Sequence, residues 1–311
     1  MTLALLCSGQ GPQHPHMFAL TGSAPEAAGL FAHAAAFLGG WDPREIARTE
    51  TDEALHRNET GQLLCTLQAL AAAAALGDAV PARRIVAGYS VGEVAAWGVA
   101  GFLEPPAALA LTVRRARIMD AASVAGDGLL FVRGLQRSVI DGLCKRFDAA
   151  VAIVNPGDAF VLGGNGAALD ALGEAARGAG AVRVVRIAVT VASHTPRLAA
   201  ASIEFRKVLN GVSAGRAIGA GPRLLSGIDG ATVLDMTSGL DKLAEQISHT
   251  VEWATCLESC AEAGATGFLE LGPGRALSEM AASAYPNIPA RSLEEFTTLQ
   301  GVRTWLERLG K

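Results

Sequence analysis

The sequence predicts an α/β fold in which a larger domain with a parallel sheet carries an inserted small ferredoxin-like (βαββαβ) subdomain. Two observations lead to this prediction. In the first and last parts of the chain, short apolar runs end in glycine-rich turns that open helical patterns, as in a parallel sheet. Between about residues 124 and 190 the order changes to strand, helix, strand, strand, helix and strand. We therefore expect residues 1–123 and 191–311 to form the larger domain and residues 124–190 the subdomain.

The composition predicts a large folded core. Of the 311 residues, 50% are hydrophobic, and the net charge of −4 comes without any basic block. A chain of this kind forms one large or two unequal domains and is a poor candidate for nucleic-acid binding. The longest apolar stretch, residues 63–76, is interrupted by Thr66 and Gln68 and is too short to span a bilayer. We expect a soluble, cytoplasmic protein with no nucleic-acid or membrane partner.

The cysteines give no sign of a metal site. There are five, an odd number without a framework, and Cys256 and Cys260 have no further cysteine or histidine nearby to complete a ligand set. We expect buried free thiols in a reducing compartment and no bound metal or other cofactor.

The first part of the chain begins with a buried strand over Leu3–Cys7, followed by a glycine loop at Ser8–Gln13. This loop either brings its backbone toward a ligand, with the N–H of Gln10 as a donor, or is a plain turn, and the local sequence leaves both open. Periodicity predicts helices over 25–38 and 59–76, and Glu104-Pro105-Pro106 opens another that runs to about Ala122.

The later elements follow from the same signals. In the subdomain we expect strands at 128–132, 150–154, 160–163 and 182–188, with helices around 139–147 and 166–177. After it, Thr195 is a natural N-cap and Pro196 a natural first residue for a helix that reaches about Leu209. Helices should also precede Gln246 and cover 251–263, and a strand at 267–271 should lead into a glycine-rich turn of structural role.

The candidate nucleophile is Ser90, in the sequence Gly88-Tyr89-Ser90-Val91-Gly92. An apolar run with strand character precedes it and a helical pattern follows, which is the setting of the nucleophile elbow in an α/β-hydrolase-like domain. The backbone N–H of Val91 would then face an oxyanion formed on an acyl group. An ordinary glycine-rich turn is the alternative.

A serine nucleophile needs a base, and the chain has six histidines, at positions 14, 16, 33, 56, 194 and 249. His194 lies where the subdomain rejoins the larger domain, just before a helix, so we favour it over His249. More than a hundred residues follow His194, whereas an α/β-hydrolase has its histidine close to the C-terminus. This order argues against an ordinary esterase.

Five elements in order resemble the malonyl-CoA:acyl carrier protein transacylases, the acyltransferase family of fatty-acid and polyketide synthesis. They are Gly9-Gln10-Gly11, Gly88–Glu93, Arg115 with Met119, Ser193-His194 and Leu271-Gly272-Pro273-Gly274. The resemblance covers nearly the whole chain, and it implies malonyl transfer from malonyl-CoA to the prosthetic-group thiol of an acyl carrier protein, with no cofactor.

The resemblance also implies a role for each matching residue. Ser90 is the nucleophile and His194 its base, while Gln10 and Val91 supply backbone N–H groups to the oxyanion hole. Arg115 pairs with the malonyl carboxylate. Gln246 orients the histidine through its main-chain carbonyl, in place of an aspartate.

Two departures from the family pattern indicate a particular branch. Ser8 stands where the family usually has proline, and Tyr89 where it usually has histidine. With Ala192-Ser193-His194-Thr195-Pro196, the chain most resembles the epsilon subunit of malonate decarboxylase, whose acceptor is that enzyme's own carrier subunit. The alternatives are malonyl transfer for fatty-acid synthesis, a Ser–His thioester hydrolase, and a non-catalytic subunit that binds a carrier protein.

Overall fold

The larger sheet is parallel and has five strands in the order β10-β9-β1-β2-β7. The computed structural model describes residues 1–213, 215, 218–219 and 221–310. The strands of this sheet are β1 (Leu3–Cys7), β2 (Arg84–Gly88), β7 (Arg223–Leu224), β9 (Gly267–Glu270) and β10 (Ala290–Ser292). Because β1 lies between β2 and β9 and all run the same way, the loops that follow these three strands meet at one edge of the sheet.

Thirteen α-helices accompany the two sheets in the described part of the chain. They are α1 (Ala28–Ala35), α2 (Pro43–Thr49), α3 (Asp52–His56), α4 (Asn58–Leu76), α5 (Gly92–Val99), α6 (Pro105–Ala122), α7 (Arg137–Arg146), α8 (Gly166–Gly178), α9 (Ala199–Leu209), α10 (Met236–Glu245), α11 (Trp253–Glu262), α12 (Ala276–Ala284) and α13 (Leu299–Leu309).

The smaller sheet has the order β6-β3-β5-β4-β8. Its strands are β3 (Asp127–Arg133), β4 (Ala150–Asn155), β5 (Ala159–Asn165), β6 (Arg183–Ile187) and β8 (Val251–Glu252). The first four pair antiparallel in the ferredoxin-like order, with α7 and α8 in the two crossovers. The predicted α/β fold with a parallel sheet and a ferredoxin-like unit is confirmed.

The fifth strand of the smaller sheet corrects one sequence prediction. The sequence predicts a single helix over 251–263, but Val251 and Glu252 pair in parallel with β4 and the helix begins at Trp253. Val251 is fully buried there. A β-branched residue in this position gains more from pairing and packing on β4 than from one more helical turn, so tertiary contacts decide the boundary.

The start of α9 differs from prediction in a similar way. Residues Pro196–Leu198 form a 3₁₀ turn before the α-helix begins at Ala199. The hydroxyl of Thr195 does not cap this turn, because it donates to the carbonyl of Ala192 at 2.7 Å. That bond closes a tight turn around His194, and the side chain therefore supports the bend of the chain rather than the helix end.

Helix α4 runs through the centre of the larger domain. Fifteen of its residues are buried, including Gln62, Thr66 and Gln68. By length and apolar character alone the segment Asn58–Ala79 could cross a membrane, but 78% of its most apolar window is covered by the rest of the protein. This degree of cover is also found in the core helix of a folded domain.

Candidate active site

Ser90 lies on a sharp turn between β2 and α5. Its φ of 56° is in the left-handed region that non-glycine residues rarely occupy. The turn is tight enough that a Cβ on Gly88 would lie 2.2 Å from backbone atoms of Gly92, and one on Gly92 would lie 2.1 Å from the carbonyl oxygen of Cys7. Both glycines are therefore needed for the bend that exposes the serine at the edge of the sheet.

The hydroxyl of Ser90 is hydrogen-bonded to His194. Ser90 Oγ lies 2.7 Å from His194 Nε2, and His194 Nδ1 lies 2.6 Å from the main-chain oxygen of Gln246. A carbonyl oxygen only accepts, so Nδ1 carries the hydrogen and Nε2 is free to accept the serine proton. His194 also has a positive φ, 63°, which directs its ring back toward the serine.

The imidazole of His194 is held in its neutral form. The ring is 1% exposed. Burial, followed by the charge of Arg115, lowers its pKa to about 3, and the Gln246 carbonyl opposes that shift. A neutral imidazole next to a serine hydroxyl is the form that a general base requires before reaction.

Gln246 connects the Ser90–His194 pair to two buried charges. Besides its main-chain contact, its Nε2 donates to the main-chain oxygen of Ser90 at 3.1 Å and to Glu93 Oε2 at 2.5 Å. Its Oε1 accepts from Arg115 Nη2 at 3.2 Å. Gln246, Glu93 and Arg115 are all fully buried. The side chain of Gln246 is thus satisfied on both ends by charged partners.

Arg115 is enclosed by protein on every side. Its Nη1 donates to Gln62 Oε1 at 2.6 Å, and Gln62 donates in turn to Asn58 Oδ1 at 2.7 Å. The Nε has no hydrogen-bond partner among the described residues. Burial lowers the pKa of Arg115 to about 10, and Glu93 opposes this shift, so the guanidinium stays charged at neutral pH. A buried cation with spare donor capacity can bind an anion.

A cavity of about 430 Å³ opens beside Ser90 and His194. The smaller sheet gives it an apolar wall, made of Leu129, Phe131, Ile153, Val161, Val185 and Ile187. Gln10, Tyr89 and Met280 also line the cavity. Arg115 is not among the described residues that line this cavity, whereas Ser90 and His194 are. The structure therefore brings the serine and histidine to the cavity and keeps the arginine behind them.

The glycine loop after β1 packs directly against the serine. A Cβ on Gly9 would lie 2.7 Å from the Tyr89 carbonyl oxygen and 3.3 Å from Ser90 Cβ. The side chain of Gln10 is anchored on the start of α4, where its Nε2 donates to the Asn58 carbonyl at 3.3 Å. Val91 is fully buried at the N-cap of α5. Of the two readings of the loop, close approach to the site fits better than a plain turn.

A second buried carboxyl, that of Glu270, lies under the same loop. Glu270 Oε1 accepts from the Ser8 hydroxyl at 2.7 Å, and its Oε2 accepts from the Ser278 backbone N–H at 2.9 Å. Burial raises the pKa of Glu270 to about 7, although these hydrogen bonds oppose the rise. Ser8 thus ties the loop, through Glu270, to the first turn of α12.

The other histidines are placed away from the serine. His249 Nδ1 donates to the Glu245 carbonyl at 2.9 Å, and His14 contacts Glu294 at 2.8 Å. His56 lies with its Nε2 3.1 Å from the Gly11 carbonyl. No group of three or more potential metal ligands occurs in the described ranges, and all five cysteines are buried and free. The sequence analysis assigned no role to Glu93, Gln62 or Glu270, which the structure places around the site.

Comparison with known proteins yields one family. A family model described as an acyl transferase domain matches residues 4–273. The malonyl CoA-acyl carrier protein transacylase of Mycobacterium bovis is 28% identical over 301 residues, which cover 94% of this chain and 96% of that protein. Polyketide synthase GfsB of Streptomyces halstedii is 31% identical over 290 residues, which cover 90% of this chain but only 5% of the synthase.

Solved structures give the same result. An acyl-carrier-protein S-malonyltransferase from Burkholderia pseudomallei has a TM-score of 0.89 and 26% identity, with 98% of this chain and 100% of that chain covered. A malonyl-transacylase solved in complex with a type II PKS acyl-carrier protein has a TM-score of 0.89 and 25% identity, covering 99% of this chain and 100% of that chain.

Proposed function

The chain belongs to the acyl transferase domain family, and from that premise we propose that it transfers a malonyl group from malonyl-CoA to the prosthetic-group thiol of an acyl carrier protein. The observation that carries the proposal is the 2.7 Å contact between Ser90 Oγ and His194 Nε2 at the wall of the cavity. Two of the similar proteins support this choice of substrates: the transacylase of Mycobacterium bovis is named for malonyl CoA and acyl carrier protein, and the malonyl-transacylase was solved with its acyl-carrier protein.

The first half-reaction acylates the serine. Ser90 Oγ attacks the thioester carbon of malonyl-CoA while His194 Nε2 takes its proton. The N–H groups of Gln10 and Val91 are the proposed donors to the oxyanion. When the tetrahedral intermediate collapses, the carbon–sulfur bond breaks. The thiolate of CoA leaves and takes from His194 the proton that came from Ser90. Malonyl-Ser90 remains.

The second half-reaction runs the same steps in reverse with a new thiol. The carrier's prosthetic thiol gives its proton to His194 and attacks malonyl-Ser90, and Ser90 Oγ leaves with that proton. The apolar wall of the smaller sheet suits the prosthetic arm, which has to cross the cavity to reach the serine. The reaction needs no cofactor, because the charge that develops is met by backbone donors and the histidine.

For the malonyl carboxylate we propose Arg115 as the partner. A buried carboxylate needs a fixed positive charge, and the guanidinium offers a planar fork that binds both oxygens. In the structure this fork is bonded to the amide oxygens of Gln62 and Gln246. The carboxylate would replace one of these neutral acceptors, which is favourable because a charged acceptor bonds an arginine more strongly than an amide does.

For the acceptor we propose the carrier subunit of malonate decarboxylase rather than a fatty-acid carrier. The sequence features behind this choice are Tyr89 before the nucleophile and the Ala192–Pro196 segment. Tyr89 lines the cavity and packs edge-to-face on Trp253 with ring centroids 5.4 Å apart. Malonyl transfer in fatty-acid or polyketide synthesis is the second candidate, since one relative is a polyketide synthase and one similar structure contains a type II PKS acyl-carrier protein.

The test is intact-protein mass spectrometry after mixing with malonyl-CoA and, separately, acetyl-CoA. We expect one malonyl group per chain, little acetylation, and no adduct on Ser90→Ala. The folded state of that variant is checked by circular dichroism. Labelling that persists in Ser90→Ala would reject Ser90 as the nucleophile. Complete absence of an adduct on the wild type would favour a subunit that only binds the carrier.

A further inference from the structure

We infer that Glu93 is a positioning residue for the Ser90–His194 pair, acting through the side chain of Gln246. The inference rests on the proposed function, because it concerns how the same pair is held ready for acyl transfer. Glu93 lies one residue after the elbow glycine, on the first turn of α5, and is fully buried. A buried carboxylate is costly unless it is paired and hydrogen-bonded, and the hydrogen bonds of Glu93 come from Gln246 and Gly227.

The contacts of Glu93 reach both catalytic residues in two steps. Its Oε2 accepts from Gln246 Nε2 at 2.5 Å and from the Gly227 backbone N–H at 3.0 Å. The same Gln246 Nε2 donates to the Ser90 carbonyl, and the Gln246 carbonyl accepts from His194. Glu93 touches neither Ser90 Oγ nor the imidazole, so its effect on them passes through Gln246.

Glu93 and Arg115 together fix which way the Gln246 amide faces. Its oxygen meets a guanidinium N–H, which can only donate, and its nitrogen meets a carboxylate, which can only accept. The flipped amide would put donor against donor and acceptor against acceptor. Without Glu93, the Nε2 atom of Gln246 loses the acceptor that favours this orientation of the amide. The residue whose main chain orients His194 would then be held less firmly.

Glu93 also supplies the negative charge that compensates the buried charge of Arg115. The two guanidinium hydrogen bonds go to neutral amides, and Glu93 is the carboxylate whose field raises the pKa of Arg115 against the effect of burial. The Arg115 charge in turn depresses the pKa of His194. Removing Glu93 therefore leaves a buried cation uncompensated, which makes His194 a weaker base.

The protonation state of Glu93 changes near neutrality. Burial raises its pKa to about 7, while Gly227, Gln246 and Arg115 oppose the rise and Asp229 adds to it. Cys256 on α11 also feels its charge. As the pH falls through 7, Glu93 becomes neutral, whereas His194 stays neutral down to about pH 3. An acidic limb near pH 7 in the acylation rate is thus expected from Glu93 and not from His194.

The experiment measures acylation of Ser90 from pH 5 to 8 in the full-length wild type, Glu93→Gln and Glu93→Ala. Glu93→Gln can still accept from Gln246 and Gly227, so it should lose part of the rate and lose the acidic limb. Glu93→Ala should lose on the order of 10²-fold, the effect of a small misplacement of reacting groups. Glu270→Gln is the matched control, because it removes another buried carboxyl with a pKa of about 7. It should keep the limb.

A double-mutant cycle tests the route through Gln246. If Glu93 acts through that side chain, Glu93→Ala should add little to the loss already caused by Gln246→Ala. The inference would be overturned if the fold-losses in acylation rate of the two single variants multiplied in the double variant. It would also be overturned if Glu93→Gln kept the wild-type acylation rate and its decline below pH 7. Phenylmethylsulfonyl fluoride reports the reactivity of Ser90 without any thioester, so the same rates measured with it judge Glu93 separately from malonyl transfer. Failure with malonyl-CoA alone would count against the proposed function only.

Discussion

Arg115 Nη2 donates to Gln246 Oε1 at 3.2 Å, and the main-chain oxygen of the same glutamine accepts from the catalytic candidate His194 at 2.6 Å. The residue proposed to bind the malonyl carboxylate is therefore bonded to the residue that orients the base. Substrate selection and activation of the serine share one side chain. Occupation of Arg115 by a carboxylate would be felt by Gln246, and through it by His194.

Substitution of Arg115 should change the choice of acyl group. We expect Arg115→Ala to cost malonyl transfer roughly 2–5 kcal/mol in kcat/KM, the range for removing one partner of a buried charge pair. The kcat/KM for acetyl-CoA should fall less, because acetyl has no carboxylate and only the lost hydrogen bond to Gln246 affects its transfer. Arg115→Lys keeps the charge but loses the paired geometry, so it should be intermediate. The measurement is kcat/KM for malonyl-CoA and acetyl-CoA.

Arg117→Ala is the control for this series. It lies on the same helix, but its side chain is 61% exposed and pairs with Glu59 at 2.8 Å. We expect no change in the malonyl-to-acetyl ratio. A parallel loss for both substrates in Arg115→Ala would mean that Arg115 supports the site's structure and does not recognise the carboxylate.

Alanine substitutions of His194 and His249, the two candidates for the general base, should have very different effects on the acylation rate. His194→Ala should slow serine acylation on the order of 10²–10⁴-fold, the usual effect of removing a general base. His249→Ala should have little effect, because its Nδ1 is bonded to the Glu245 carbonyl one turn earlier. Single-turnover acylation measures both. A large effect of His249→Ala with a small effect of His194→Ala would reverse the assignment.

Local signals predicted most of the fold because the strands and helices are strongly patterned. Leu3–Cys7 and the helix from Pro105 to Ala122 have the predicted bounds, and α4 ends at Leu76 as predicted. The failure at Val251–Glu252 has a different origin. These two residues pair with β4, which lies about a hundred positions earlier in the chain, and no local pattern carries that information.

The site was predictable where a motif carries the geometry and not where packing does. Ser90 and His194 lie together as the resemblance implied, but their roles stay predictions until acylation is measured. The roles of Glu93 and Gln62 were not predicted, because a single polar residue near an apolar helical stretch usually indicates a helix end or a surface position. Glu93 did carry a signal in the sequence, since it stands directly between the elbow glycine and the apolar run Val94–Trp97.

The stability of the protein should depend on pH through Glu270. Its pKa is raised from 4.5 to about 7 in the folded state. Because folding favours the protonated carboxyl, the native state holds more protons than the unfolded chain between these values. The free energy of unfolding should therefore decrease as the pH rises from 4.5 to 7, by up to about 3 kcal/mol from this group.

Glu270→Gln isolates that contribution. The amide can accept from the Ser278 N–H and donate to the Ser8 hydroxyl at any pH, so its stability relative to wild type should rise by about 3 kcal/mol between pH 4.5 and 8. The contribution of Glu93 is present in both proteins and cancels in the difference. Denaturant unfolding at several pH values measures it, with the exposed Glu279→Gln on α12 as control. Parallel curves for wild type and Glu270→Gln would refute the shift.

The last prediction concerns the carrier. If the chain serves malonate decarboxylase, malonyl-Ser90 should react faster with that enzyme's carrier subunit than with a fatty-acid carrier. Tyr89 lies on the cavity wall next to the nucleophile, and it is one of the sequence features on which the choice of this carrier rests. Tyr89 is partly buried, and the desolvation of its phenol raises the pKa to about 12, while a hydrogen bond with Asn155 opposes the rise. We expect the neutral phenol to shape the wall against which the prosthetic arm lies.

Two variants of Tyr89 test this. Tyr89→His replaces a large ring packed on Trp253 by a smaller polar one and should narrow the preference between the two carriers. Tyr89→Phe keeps the ring and its edge-to-face contact, so it should keep most of the preference. Transfer rates from preformed malonyl-Ser90 to each carrier measure this without the CoA step. Equal or inverted rates in the wild type would assign the protein to fatty-acid or polyketide synthesis, because the acyl-enzyme is the same and only the acceptor differs.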